Sequence, residues 1–203
     1  MLHQDPTSRS VHYSLTEIGD ETRHMIMFGK AVAAIGAKPY RLSLTEALAV
    51  QAFPFAYRGL MLWVAALCGE ETIDDAQRTY LHSEDLQPII AQVMRIHVAE
   101  EARHIRFARE GVRRRIARAS WLDRQFAATA NGAAGFILQR LFYDKRVYER
   151  CGLDANEAMR QARANEEVSA RRRAAFENLY QFLEENGLTN PISRLSWKYF
   201  GFL

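Results

Sequence analysis

The stretch His97-Val98-Ala99-Glu100-Glu101-Ala102-Arg103-His104 decides how the rest of the sequence reads. On an α-helix, at about 100° per residue, His97, Glu101 and His104 fall within about 60° of one another. Ile90, Val93, Ala108 and Val112 share that stripe, while Arg95, Arg103, Arg106, Arg109 and Arg113 lie on the other side. One acid and two imidazoles therefore point where the apolar residues point. A buried, unpaired carboxylate is strongly unfavourable. A metal ion compensates for it directly.

The same pattern occurs eighty positions earlier, as Asp20-Glu21-Thr22-Arg23-His24. Both copies read acid-Glu-x-Arg-His. Residues three apart are neighbours on a helix, so each copy sets a carboxylate beside an imidazole. On the first helix Glu17, Glu21 and His24 share a face with Met25, Phe28 and Val32. Glu70 lies one to two turns beyond Ala66 and Trp63 and projects the same way. Two Glu-x-x-His motifs with single glutamates from other helices are the ingredients of a di-iron site in a four-helix bundle, and carboxylate with imidazole suits iron or manganese. Asp20 and Glu100 either orient a ligand histidine from the opposite helix or lie exposed. Arg23 and Arg103 are either surface charges or the partners of those acids. His3, His12 and His82 fall outside the pattern and read as solvent-exposed.

Outward from these motifs the chain reads as one all-α domain over residues 1–203. Helices are expected at 11–36, 55–81, 87–118, 120–150 and 154–185. A capping box at Ser43 and Glu46 starts a short helix interrupted at Pro54. An aromatic tail with Trp197, Tyr199, Phe200 and Phe202 follows Pro191. With 48% hydrophobic residues in 203, the chain can bury a core, which excludes disorder and low-complexity classes. The formal net charge of +3 is too small to argue for nucleic acid. The basic clusters, Arg113 to Arg115 with Arg118 and Arg171 to Arg173, read as solvated faces. Cys68 and Cys151 make no disulfide framework. Met1–Ser10 is polar, and the apolar run Gly59–Gly69 is too short to span a bilayer. The expected location is cytoplasmic, with no membrane partner.

The string His97 to His104, preceded by Leu86-Gln87-Pro88 and by Gly69-Glu70-Glu71-Thr72-Ile73, resembles the p-aminobenzoate N-oxygenase family, the non-haem di-iron arylamine oxygenases. The resemblance runs over about Gly19 to Glu110. It implies a ferritin-like helical bundle, commonly dimeric. It also implies two iron ions, with manganese as an alternative, held by Glu21, His24, Glu70, His97, Glu101 and His104. Glu70 is preferred to Glu71 from its spacing to His97, and His97 fills the position of an extra family histidine. The family carries one further ligand glutamate on a helix well before the first Glu-x-x-His. That helix is expected to be missing here, because only twenty residues precede Glu21. A fragment, a lost site or a substitute ligand would each explain this. Glu17 is the candidate substitute: it lies one turn before Glu21, as His97 does before Glu101, and would bring the carboxylate charge to four against two ferrous ions.

The expected function is therefore an O₂-dependent di-iron monooxygenase acting on an amine, with a small-molecule substrate and an external electron donor. A related di-iron oxidase or desaturase is one alternative. A truncated, inactive homologue with a binding role is another. Phe28, Phe55, Tyr57 and Trp63 are candidates for pocket walls or for core packing. A missing wall of the bundle would leave an apolar groove for a second subunit.

Overall fold

The computed structural model describes residues 5–44, 47, 48, 50, 51 and 58–203. Glu46 of the expected capping box, Pro54, Phe55, Tyr57 and His3 lie outside the described residues. Among the described residues the regular structure is helical, with no strand. The elements are α1 (Arg9–Ala34), α2 (Leu60–Tyr80), α3 (Pro88–Ile116), α4 (Trp121–Ala130), α5 (Ala134–Phe142), α6 (Lys145–Arg150), α7 (Ala155–Ala164), α8 (Glu166–Glu185) and α9 (Pro191–Tyr199). No helix among them is long and apolar enough to cross a membrane.

Local chemistry sets the ends. The Ser8 hydroxyl accepts from the Val11 amide at the start of α1, and Gly36 takes a φ of 70° just past its end. Pro88 opens α3, where its missing amide proton costs nothing. At α4, Ser120 and Asp123 form a reciprocal capping box. Gly187, at φ 65°, stops α8, and the Leu188 amide returns to the Leu183 carbonyl at 2.8 Å.

Two helices expected to be continuous are broken. The 120–150 segment is interrupted by a 3₁₀ turn at Asn131–Ala133 and again at Tyr143, whose φ of −136° is extended. At the first break, the buried Asn131 amide donates to the carbonyls of Ala127, Ala128 and Leu188. Gly132 meets the α9 backbone there; a Cβ on it would come within 2.9 Å of Ser193 Cα. At the second break, Asp144 caps α6. The 154–185 segment divides at Asn165, whose side chain accepts from the amides of Glu167 and Val168 and starts a new helix. The aromatic tail contains α9, capped by Asn190. Trp197 is fully buried and donates to Asn131 Oδ1 at 3.0 Å.

Helix α2 is central, packed on α3 along one side and α8 along another, while α1 lies against α3. Val64 and Leu67 of α2, Ala108 and Val112 of α3, and Phe176, Leu179 and Leu183 of α8 form the core, which Trp197 and Phe202 close. Trp63 is partly buried and packs against this core. Its ring lies over Gly111 and edge-on to Phe107, with ring centroids 5.2 Å apart. Arg172 also departs from the solvated-face reading. It is buried, donating to the Gly201 carbonyl and the Tyr143 hydroxyl. Cys68 and Cys151 are both free, one buried and one exposed.

A Cβ at Gly111 would fall 2.1 Å from Trp63 Cε3. Gly111→Ala should therefore destabilise the protein by about 1–3 kcal/mol through overpacking. Urea denaturation measures the loss, and adding Trp63→Leu should restore part of it if the clash is the cause.

Candidate metal centre

The centre is built where α1, α2 and α3 meet. On α3, Glu101 is 2% exposed and His104 is fully buried. On α1 the buried stripe runs through Val11, Asp20, His24 and Ala31. It is rotated from the face expected for this helix. Met25 is 72% exposed, and the Glu21 side chain stands half-exposed at the rim. The rotation follows from Asp20, which must reach α3 and lies about 100° around the helix from Glu21.

Glu101 divides its two oxygens. Oε1 lies 3.2 Å from His24 Nδ1 and 3.4 Å from His97 Nε2, while Oε2 lies 3.3 Å from His104 Nδ1. Glu21 Oε1 is 3.4 Å from both His24 Nδ1 and His104 Nδ1. Two donor sets result, His24–His97–Glu101 and Glu21–Glu101–His104, with Glu101 common to both. Donor atoms about 2.1 Å from a shared cation, at angles near 90–110°, are about 3.0–3.4 Å apart. The observed spacings suit that role.

The outer ring nitrogens are fixed from behind. His24 Nε2 lies 2.8 Å from Glu100 Oε2, and His104 Nε2 lies 3.1 Å from Asp20 Oδ2. Each motif's leading acid thus holds the other motif's histidine. Arg23 donates to both Asp20 and Glu100, and Arg103 donates to Asp20. Of the alternatives left open for these four residues, the cross-bracing arrangement is the one present. It places the Nε2 protons on the carboxylate side and turns the Nδ1 lone pairs inward. On His97 the roles are reversed: Nδ1 lies 2.9 Å from Gln77 Oε1, leaving Nε2 toward Glu101.

Several inward atoms are buried without a hydrogen-bond partner: Nδ1 of His24 and His104, and Oε2 of Glu70 and Glu101. Orphaned donors of this kind are rare unless an ion completes them. These residues fit a pair of divalent cations. With no cation present, burial and the charges of Glu101 and Glu17 push Glu70 up to about 8. Burial opposes the His104 imidazolium, but the carboxylates of Glu101 and Asp20 beside it outweigh burial and raise His104 to about 9. Glu17 is half-buried, and burial together with the neighbouring Glu21, Glu101 and Asp20 raises it despite His104.

Glu70 and Glu71 face opposite ways. Glu71 is buried in a two-pronged ion pair with Arg109, so Arg109 is not the solvated charge expected of it. Phe28 lies edge-on to His97, ring centroids 5.0 Å apart, as a wall of the centre. His12 and His82 are exposed, as expected. The sequence reading missed Gln77, although it lies seven residues after Glu70 and so on nearly the same face of α2. It also missed Tyr13, one turn before Glu17. The Tyr13 ring packs 4.3 Å from Phe107, and its hydroxyl is buried without a partner.

The family described as P-aminobenzoate N-oxygenase AurF matches residues 1–187. The chain is 31% identical over 204 residues to Uncharacterized protein Rv0885 of Mycobacterium tuberculosis and to Uncharacterized protein Mb0909 of Mycobacterium bovis, with 94% of this chain covered. It spans 58% of the length of these curated relatives. Among solved structures none matches the chain at comparable significance. The chain belongs to the p-aminobenzoate N-oxygenase family, whose fold is the helical, ferritin-like di-iron type.

Glu100→Ala or Gln77→Leu should weaken metal binding by about 10–100-fold, the usual effect of removing a partner that orients a ligand. Competition against a chromophoric chelator measures this. Glu71→Gln should instead lower the denaturation midpoint and leave metal affinity unchanged.

Proposed function

We propose that this chain carries the centre of a non-haem di-iron oxygenase, and that its reaction is O₂-dependent oxidation of a small arylamine at nitrogen. The observation carrying this reading is the pair of donor sets joined at Glu101, with their inward atoms orphaned. Membership of the family supplies the arylamine. Bound iron would supply O₂ reduction and oxygen transfer. His24, His97 and Glu101 would hold one ion, and Glu21, Glu101 and His104 the other. Glu70 would add a carboxylate from α2, and Glu17 one from α1.

The remaining roles belong to the protein's own groups. Glu100, Asp20 and Gln77 keep three imidazoles in fixed tautomers. Arg23 and Arg103 neutralise the outer acids, so those acids hold their protonated partners without adding net negative charge at the rim. Phe28 packs beside His97 and presents an apolar ring there. The first oxidation balances as arylamine, O₂, two electrons and two protons giving hydroxylamine and water. An external two-electron donor is therefore part of the proposal, as is assembly into a homodimer.

Anaerobic titration of metal-free protein should give about two ferrous ions per chain. Glu101→Ala should fall below one, because both donor sets lose a member, and His97→Ala should retain at least one. With a chemical reductant, O₂ and p-aminobenzoate, the loaded wild type should form hydroxylamine or nitro product. Two bound irons with no oxygen uptake across a panel of arylamines would favour a binding role instead.

A further inference from the structure

A second concave feature lies away from the metal centre, at the end where α1 and α2 begin and α3 finishes. It is a cleft of about 680 Å³, within the range of small-molecule sites. Its lining includes Arg58, Arg114, Arg115 and Arg118, with Asp123 as the one carboxylate. Asp123 is already engaged, accepting from the Ser120 amide at 3.2 Å and the Ser120 hydroxyl at 2.7 Å. Arg114 faces Glu110 at 3.6 Å, and Glu110 is shared with Arg106 at 3.3 Å. Arg58, Arg115 and Arg118 have no acidic partner among the described residues. Four arginines from two segments thus line one hollow whose described lining holds a single carboxylate, Asp123.

The hollow also has apolar lining residues. Trp63 lines it, and Leu62 and Phe126 line it with side chains 43% and 57% exposed. A purely electrostatic surface would not need exposed apolar walls, and a purely hydrophobic cleft would not gather arginines. Planar guanidinium groups suit phosphate oxygens two at a time. Along α3, Arg115 is fourteen residues from Glu101, a rise of about 21 Å. A phosphate held by Arg115 and Arg118 therefore lies toward the end of α3, well along the helix from Glu101, while Trp63 stands seven residues, about 10 Å of rise, from Glu70.

We infer that this cleft is a separate binding site for a small organic phosphate, its anionic group held by Arg58, Arg115 and Arg118 and its aromatic or apolar body laid against Trp63 and Phe126. Nothing in the oxygenase reading requires this site, and the site does not depend on that reading.

Calorimetric titration of the metal-free full chain with 1-naphthyl phosphate, inorganic phosphate and 1-naphthol tests the inference. Naphthyl phosphate should saturate one site, more tightly than phosphate and much more tightly than naphthol. Arg115→Ala with Arg118→Ala should weaken it at least about tenfold, the worth of one lost charge-assisted contact or more, and Arg58→Ala alone should weaken it measurably. Arg95→Ala with Arg106→Ala, exposed on α3 outside the cleft, should leave it unchanged. Absence of saturable binding would overturn the inference. So would equal weakening by the two double variants, which would show only diffuse attraction to a basic surface. Equal affinity for phosphate and naphthyl phosphate would overturn the apolar half of the site.

Discussion

The rest of the structure is arranged around one buried carboxylate. Glu101 stands in the middle of α3 with almost no access to water, and each of its oxygens faces an imidazole on a different side. A carboxylate in that position is strongly unfavourable unless positive charge or metal surrounds it. The neighbouring helices supply the means. Helix α1 brings His24 and Glu21, helix α2 brings Glu70, and α3 itself contributes His97 and His104 from the turns on either side. The acids behind the histidines hold the outer Nε2 atoms and leave the Nδ1 atoms of His24 and His104 turned inward. Each layer answers a requirement set by the layer inside it.

Much of this was legible because helical periodicity is strict. The repeat of acid-Glu-x-Arg-His, with Glu101 and His104 on an apolar stripe, places carboxylates and imidazoles inward wherever the segment is helical. The stop of α1 and the start of α3 follow from Gly36 and Pro88. What periodicity cannot give is helix rotation against a neighbour. Met25 reads as inward from α1 alone, but the reach of Asp20 to His104 turns it to solvent. Arg109 and Arg172 read as surface charges because their partners, Glu71 on α2 and the Tyr143 and Gly201 groups far along the chain, are set by packing. The helix breaks at Asn131 and Asn165 were missed for related reasons. Asn131 acts through a carbonyl fifty-seven residues away, whereas Asn165 followed by two glutamates is a local cap that could have been recognised.

Division of labour recurs between adjacent residues. Glu70 and Glu71 differ by one position and by about 100° of helix. One turns its unpaired oxygen toward the centre, and the other locks α2 to Arg109 on α3. Asp20 and Glu21 repeat the arrangement on α1, the first braced against α3 and the second left at the rim. Paired acids in this sequence are thus one ligand-type group and one anchor between helices.

Helix α1 has a further property. Of its four buried residues only Val11 and Ala31 are apolar; the other two are Asp20 and His24. Its outer face leaves Leu15, Ile18, Met25 and Ile26 more than half exposed. The helix is therefore fastened to α3 mostly through the same groups that would grip ions, and little oily surface would resist its departure. Ion capture and the seating of α1 are then two descriptions of one equilibrium. An ion held between these groups would therefore tighten the seating of α1 on α3.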